Sequence, residues 1–315
     1  MIIEVVRSGF VESRHRVRAI GLGASGDRVI EYGEAGALVS PRSAMKPLQA
    51  LGMLRAGLQL DGELLALAAA SHSGEDFHVE GVLKILGSAG LTEDALQCPV
   101  DLPLDPEVAN RLLASGGRPS RLRMNCSGKH AAMLLTCVAN DWPLESYLDP
   151  AHPLQRVIRQ TVEDLTGQRI AATGVDGCGA PLFVVSLSAV AHAFRDLVLA
   201  EEGTPERRVA DAMRAHPEWT SGTTRPEAAL MRALPGLLLK SGAEGVDVFA
   251  HADGRAGAIK VEDGAVRARV PATVALLRDL DFDAPELAEL AAPAILGGGR
   301  PVGHVSAQTL TQGRP

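Results

Sequence analysis

Ser43 and Lys46 stand three residues apart in "SPRSAMKPLQALGMLRAGL" (40–58), at the head of an apolar stretch with helical spacing. Residues three apart share one helix face, so a lysine amine there can take the proton of a serine hydroxyl as the serine attacks a carbonyl. The same two residues also read as a helix cap with a solvated first-turn lysine. A second lysine opens Lys240-Ser241-Gly242 in "LLLKSGAEGVDVFAH". This has the form of the K-[ST]-G element that accompanies S-x-x-K in acyl-transfer enzymes, where the strand lysine faces the nucleophile and glycine admits substrate at the strand edge. Its bland reading is a lysine at a strand start beside a glycine turn. Only five of the 31 basic residues are lysines. Arginine stays protonated whereas a desolvated lysine can act as a base, so the retained lysines are pointers, although biased codon usage would thin them out too.

Three further stretches carry chemistry-bearing residues. "ASHSGED" (70–76) places Ser71, His72, Ser73, Glu75 and Asp76 after an apolar run, which reads as a cleft lining or as an ordinary helix cap and turn. "NCSGKHAAML" brings Cys126, Lys129 and His130 to the first turn of a helix, and "TGVDGCGAP" presents Asp176 and Cys178 in a glycine-rich loop. Two cysteines on separate loops, each beside other donors, are consistent with zinc held with one position open. No C-x-x-C or H-x-x-x-H spacing accompanies them, which leaves buried structural thiols as the other reading. Cys98 and Cys137 read as ordinary buried thiols.

The elements around these residues have a clear order. "IIEVVRS", "HRVRAIGLG" and "DRVIEYG" read as an N-terminal meander; apolar residues at helical spacing dominate from about 46 to 240; "GVDVFAHA" and "AIKVEDG" then form a hairpin followed by the helix-like "ATVALLRDL". Strands at both ends around a helical middle predict an α+β architecture. It is one catalytic domain over residues 1–315, with an antiparallel sheet from about 1–40 and 240–310 and helices over about 43–239. The terminal "TQGRP" reads as a disordered tail. A net charge of −7 and 3% aromatics argue against nucleic acid as a partner. Neither a basic-then-apolar leader nor an 18-residue apolar run is visible, so a cytoplasmic protein with no membrane partner is the expectation, with a homodimer as the default state.

In order along the chain, "VESRHRVRAI", "RSAMKPLQAL", "ASHSGED", "NCSGKHAAML", "TGVDGCGAP" and "KSGAEGVDVF" resemble the rhizobial-type, or class 3, L-asparaginases. That family looks like serine β-lactamases and glutaminases in fold and hydrolyses L-asparagine to L-aspartate and ammonia. The resemblance implies two serine–lysine pairs, Ser43 with Lys46 and Ser71 with Lys240, and a zinc cofactor held by Cys126, Lys129 and Cys178. On that basis the expected mechanism has a neutral Lys46 deprotonate Ser43, Ser71 and Lys240 relay the proton, and zinc position the substrate; the reverse assignment, with Ser71 as nucleophile, stays open. Arg42, His130 and Asp176 are candidates for gripping the charged groups of the amino acid. Gly179 departs from the asparagine found in the family, "KSG" replaces a less polar triplet, and the chain is shorter. Glutamine or a β-lactam as substrate, and a catalytically silent zinc- or amino-acid-binding protein, are the alternatives.

Overall fold

The computed structural model describes residues 1–308; the tail "TQGRP" lies outside them. Eleven strands occur among these residues: β1 Ile2–Arg7, β2 Phe10–Leu22, β3 Arg28–Tyr32, β4 Leu38–Val39, β5 Ala172–Val175, β6 Pro181–Ser186, β7 Leu237–Gly242, β8 Val246–His251, β9 Ala256–Val261, β10 Ala294–Gly297 and β11 Arg300–Ala307. The helices are α1 Lys46–Arg55, α2 Gly62–Ala68, α3 Asp76–Ser88, α4 Pro106–Ala114, α5 Ser127–Ala139, α6 Pro153–Thr166, α7 Leu187–Leu199, α8 Pro205–Ala215, α9 Pro217–Thr220, α10 Pro226–Ala233, α11 Val266–Asp279 and α12 Leu287–Ala291. No helix among the described residues is long and apolar enough to cross a membrane.

The main sheet has eight strands in the order β10-β11-β1-β2-β9-β8-β7, with β3 also paired to β2. The α+β architecture expected from the strand runs is therefore present. N- and C-terminal pieces meet through two antiparallel seams, Val5 opposite Val305 and Ala19 opposite Ile259. Strand β8, between β9 and the edge strand β7, is buried at five of its six positions. It reads as a continuous apolar run because α7 covers one face and α11 the other.

The helical middle departs from expectation in one respect: it contributes two strands, β5 and β6, to a second, three-stranded sheet in the order β4-β6-β5. Val175, exposed on an edge strand, and the loop from Asp176 to Ala180 gave no alternation from which to read those short strands. This small sheet matters because the β5–β6 loop carries Cys178.

Two apolar clusters divide on the main sheet. One joins Leu22, Val248 and Ala258 to the helical layer; the other joins Leu239, Phe249 and Ile259 to α11. Alternation along β7 thus sends Lys240 to the helical side and Ser241 to the α11 side.

Candidate active site

Two buried turns and the end of β7 build the site. Residues Arg42–Met45 form a 3₁₀ turn that runs into α1 at Lys46, with Pro47 in the first helical turn, where its missing N–H costs nothing. Gly242 lies against this turn: a Cβ there would sit 2.1 Å from the Pro41 carbonyl oxygen. Only glycine lets the strand edge approach so closely. The same logic applies to Gly128, where a Cβ would lie 2.5 Å from the Leu67 carbonyl, so α5 packs tightly on α2 and delivers Lys129 and His130 to the site.

Lys46 is 1% exposed and donates to Ala70 O at 2.6 Å, Ser71 Oγ at 3.0 Å and Cys126 Sγ at 3.1 Å. These are three acceptors, one for each N–H of an ammonium. Lys240, also buried, lies 3.0 Å from Ser71 Oγ and 2.8 Å from Ser241 O. Burial and the charge of Lys46 push Lys240 well below its ordinary value. Ser71 Oγ stands 3.0 Å from both amines, so a Lys240 that has given up its proton can accept from Ser71 while Lys46 donates to it, and the three groups form a continuous Lys46–Ser71–Lys240 path.

The Ser43 hydroxyl, expected to pair with the Lys46 amine, makes no hydrogen bond to it here, although the Lys46 backbone N–H donates to Ser43 O. The first turn is 3₁₀, and the buried Lys46 amine takes its three partners from the Ala70–Ser71 turn and Cys126 instead. Ser43 is half-buried and its hydroxyl is uncommitted. Its neighbour Arg42 sits at φ 51°, a left-handed conformation that costs a non-glycine residue energy and turns its side chain to Asp176. Arg42 Nη2 and Nε meet Asp176 Oδ1 at 2.6 and 2.7 Å, so two residues expected to grip the substrate grip each other.

Cys126, Lys129 and Cys178 converge although they come from α5 and the β5–β6 loop. Lys129 Nζ donates to Cys178 Sγ at 3.2 Å. The Cys126 thiol donates to Asn125 Oδ1 at 3.1 Å. Its neighbourhood, with Lys129 and His130, holds the Cys178 thiol far below its usual range despite burial, whereas Cys126 is pushed up by Cys178 and by burial. Burial alone would lower Lys129, but the charges of Cys178, Cys126 and Asp176 hold it above its ordinary value.

Among the described residues no group of three or more His, Cys, Asp and Glu is arranged to hold a metal ion; the third donor of this cluster is a lysine. Two thiols in contact with each other and with one buried amine still fit Zn²⁺, provided that Lys129 and Cys126 release their protons on binding.

His130 is fully buried behind the cluster, with Nδ1 2.7 Å from Tyr147 Oη. Sequence reasoning missed Tyr147. The available signal was scarcity, since the chain has only two tyrosines. It also missed Glu227, which sits on the far side of β7 with Arg269 at 2.8 Å. Cys98 and Cys137 are buried thiols, pushed up by burial to about 11 and about 12.

A serine hydroxyl between two buried lysines, one of them held well below its ordinary value by burial, is an arrangement that can support serine–lysine acyl transfer. The sequence model of the L-asparaginase II family matches residues 3–307. The chain therefore belongs to the L-asparaginase II family and is an amidohydrolase. No curated protein sequence matches it. Among solved structures it is similar to a β-lactamase from Mycobacterium bovis, at 13% identity and TM-score 0.45 over 85% of this chain and 96% of that one. It is also similar to a Bacillus glutaminase, at 13% identity and TM-score 0.40 over 79% and 85% of the two chains. At these TM-scores the likenesses add nothing to the family assignment, which rests on the sequence match.

Proposed function

We propose that this protein hydrolyses L-asparagine to L-aspartate and ammonia with a serine nucleophile served by the Lys46–Ser71–Lys240 path. The observation that carries the reading is Ser71 Oγ at 3.0 Å from both lysine amines, inside a chain of the L-asparaginase II family. Ser43 attacks the side-chain carbonyl carbon of asparagine. As it does so, Lys46 takes the Ser43 proton and passes one of its own through Ser71 to Lys240. Catalytic hydrogen bonds are often open in a ligand-free site and tighten around substrate, which accounts for the uncommitted Ser43 hydroxyl.

The proton on Lys240 then returns along the path to the leaving nitrogen, which departs as ammonia and leaves an ester on Ser43. Water attacks the ester, its proton takes the same route, and aspartate and free Ser43 result. Arg42 and Asp176 exchange each other for the substrate's carboxylate and ammonium, so binding trades one ion pair for two. Cys126, Lys129 and Cys178 would hold zinc beside this site. When bound, the ion supplies positive charge that orients the polar end of the substrate.

A second reading makes Ser71 the nucleophile, because its hydroxyl oxygen already lies 3.0 Å from the Lys240 amine. Denaturing the enzyme during turnover and mapping the trapped acyl group by mass spectrometry separates the two. Modification of the peptide containing Ser43 supports the first, modification of the Ser71 peptide the second, and no modification under conditions of active turnover removes covalent catalysis altogether. Ammonia release measured across L-asparagine, L-glutamine and a β-lactam tests the substrate assignment. A larger kcat/KM for either alternative amide would overturn it.

A further inference from the structure

Tyr147 is fully buried, packs in the apolar core of the helical layer, and yet carries a hydroxyl whose bonds can be followed atom by atom. Its oxygen accepts from the Gln97 backbone N–H at 3.0 Å. Its single proton then needs an acceptor, and His130 Nδ1 lies 2.7 Å away. Were Nδ1 protonated and donating instead, the tyrosine proton would be left in the core without a partner, which carries the full desolvation penalty of that group. Nδ1 is therefore the acceptor.

An imidazole whose Nδ1 accepts a hydrogen bond is neutral and bears its one proton on Nε2. That atom has no nitrogen or oxygen partner. Cys178 is the ionisable side chain beside it, and no hydrogen bond joins the two in this structure. Cys178 sits between Gly177 and Gly179 on a loop, whereas His130 is anchored in α5.

We infer that Tyr147 fixes His130 as the Nε2–H tautomer, and that His130 is a positioning residue which donates from Nε2 to the Cys178 sulfur, neither gripping the substrate nor ligating metal. The backbone amide of Gln97 orients the phenol, the phenol orients the imidazole, and the imidazole orients the loop thiolate for the ion. This rests on the reading of Cys178 as a zinc ligand, while the tautomer itself does not depend on it.

The test uses protein labelled with ¹⁵N at its nine histidines, with the His130 signals identified by their loss in His130→Gln. In metal-free protein His130 is expected as the Nε2–H tautomer, unchanged on addition of zinc. An Nδ1–H tautomer, or loss of the Nε2 proton when zinc is added, would overturn the inference. In parallel, zinc affinity is measured by chelator competition. His130→Ala should weaken binding by about 10- to 100-fold, the usual effect of removing an outer partner of a metal ligand. His130→Gln, which keeps an N–H near the Nε2 position, should restore most of it. Wild-type zinc affinity in His130→Ala would likewise overturn the positioning role. If the wild-type protein binds no zinc, the metal reading fails while the tautomer in the metal-free protein still decides the rest.

Discussion

The closeness of Gly242 to the Ser43 turn offers a sharp way to test whether that turn is catalytic. A Cβ at position 242 would lie 2.1 Å from Pro41 O and 3.2 Å from Ala44 N, and the Pro41 carbonyl is itself fixed by a 3.0 Å hydrogen bond from Ala44 N. Real contacts of this kind do not close below 3.0 Å, so Gly242→Ala must separate β7 from the turn by roughly 1 Å. Arg42 and Ser43 lie within that turn, and Lys240 is on the strand being displaced. A misplacement of about 1 Å costs on the order of 100-fold in rate, equivalent to about 2.7 kcal/mol of barrier. Overpacking should also cost about 1–3 kcal/mol of stability. Steady-state ammonia release gives the first quantity and urea unfolding the second. Gly87→Ala on α3 is the control, because a Cβ there meets nothing within 4 Å; it should leave activity unchanged and stabilise slightly. A folded Gly242→Ala protein with kcat/KM within about threefold of wild type would refute the placement of the nucleophile on this turn.

Other consequences are equally open to measurement. Ser71→Ala breaks the path between the two lysines and should lower kcat by about 10²- to 10⁴-fold, the usual contribution of a positioned proton-transfer group; unchanged single-turnover rates would remove Ser71 from the chemistry. Asp176→Asn weakens the seat for the substrate ammonium and should act mainly on KM, so an effect confined to kcat would point elsewhere. Chelation of zinc should raise KM in the same way, and an unaltered kcat/KM in demonstrably metal-free enzyme would exclude the positioning role. Glu227, held at about 2 by Arg269 and Arg225 against burial, contributes stability that is complete above its ordinary value of 4.5 and is lost as the pH falls from there toward 2. That loss amounts to roughly 3 kcal/mol. In Glu227→Gln the acid limb of urea stability should flatten, and an unchanged limb would assign acid unfolding to other groups.

Much of this molecule is written locally. Alternating runs around Val5 and Val17 specify strands, helical spacing specifies α1 and α5, and the glycine-bounded hairpin of β8 and β9 is visible in a dozen residues, because each depends on neighbours within one turn or one pleat. The sequence also names the chemistry: Lys46, Lys129 and Lys240 stand out in a chain that otherwise favours arginine. Where their amines point is a different matter. Spacing aims Lys46 at Ser43, but the folded protein sends it to Ser71, 25 residues away, because burial makes the amine seek three acceptors and the Ala70–Ser71 turn supplies two of them. Arg42 meets Asp176 across 134 residues, and His130 meets Tyr147 in a pairing that no periodicity encodes. Local pattern fixes which elements form and which residues can react, since those follow from the covalent chain. Partners are fixed by the packing of elements far apart in sequence, since a buried donor is satisfied by whatever acceptor the fold brings within 3 Å.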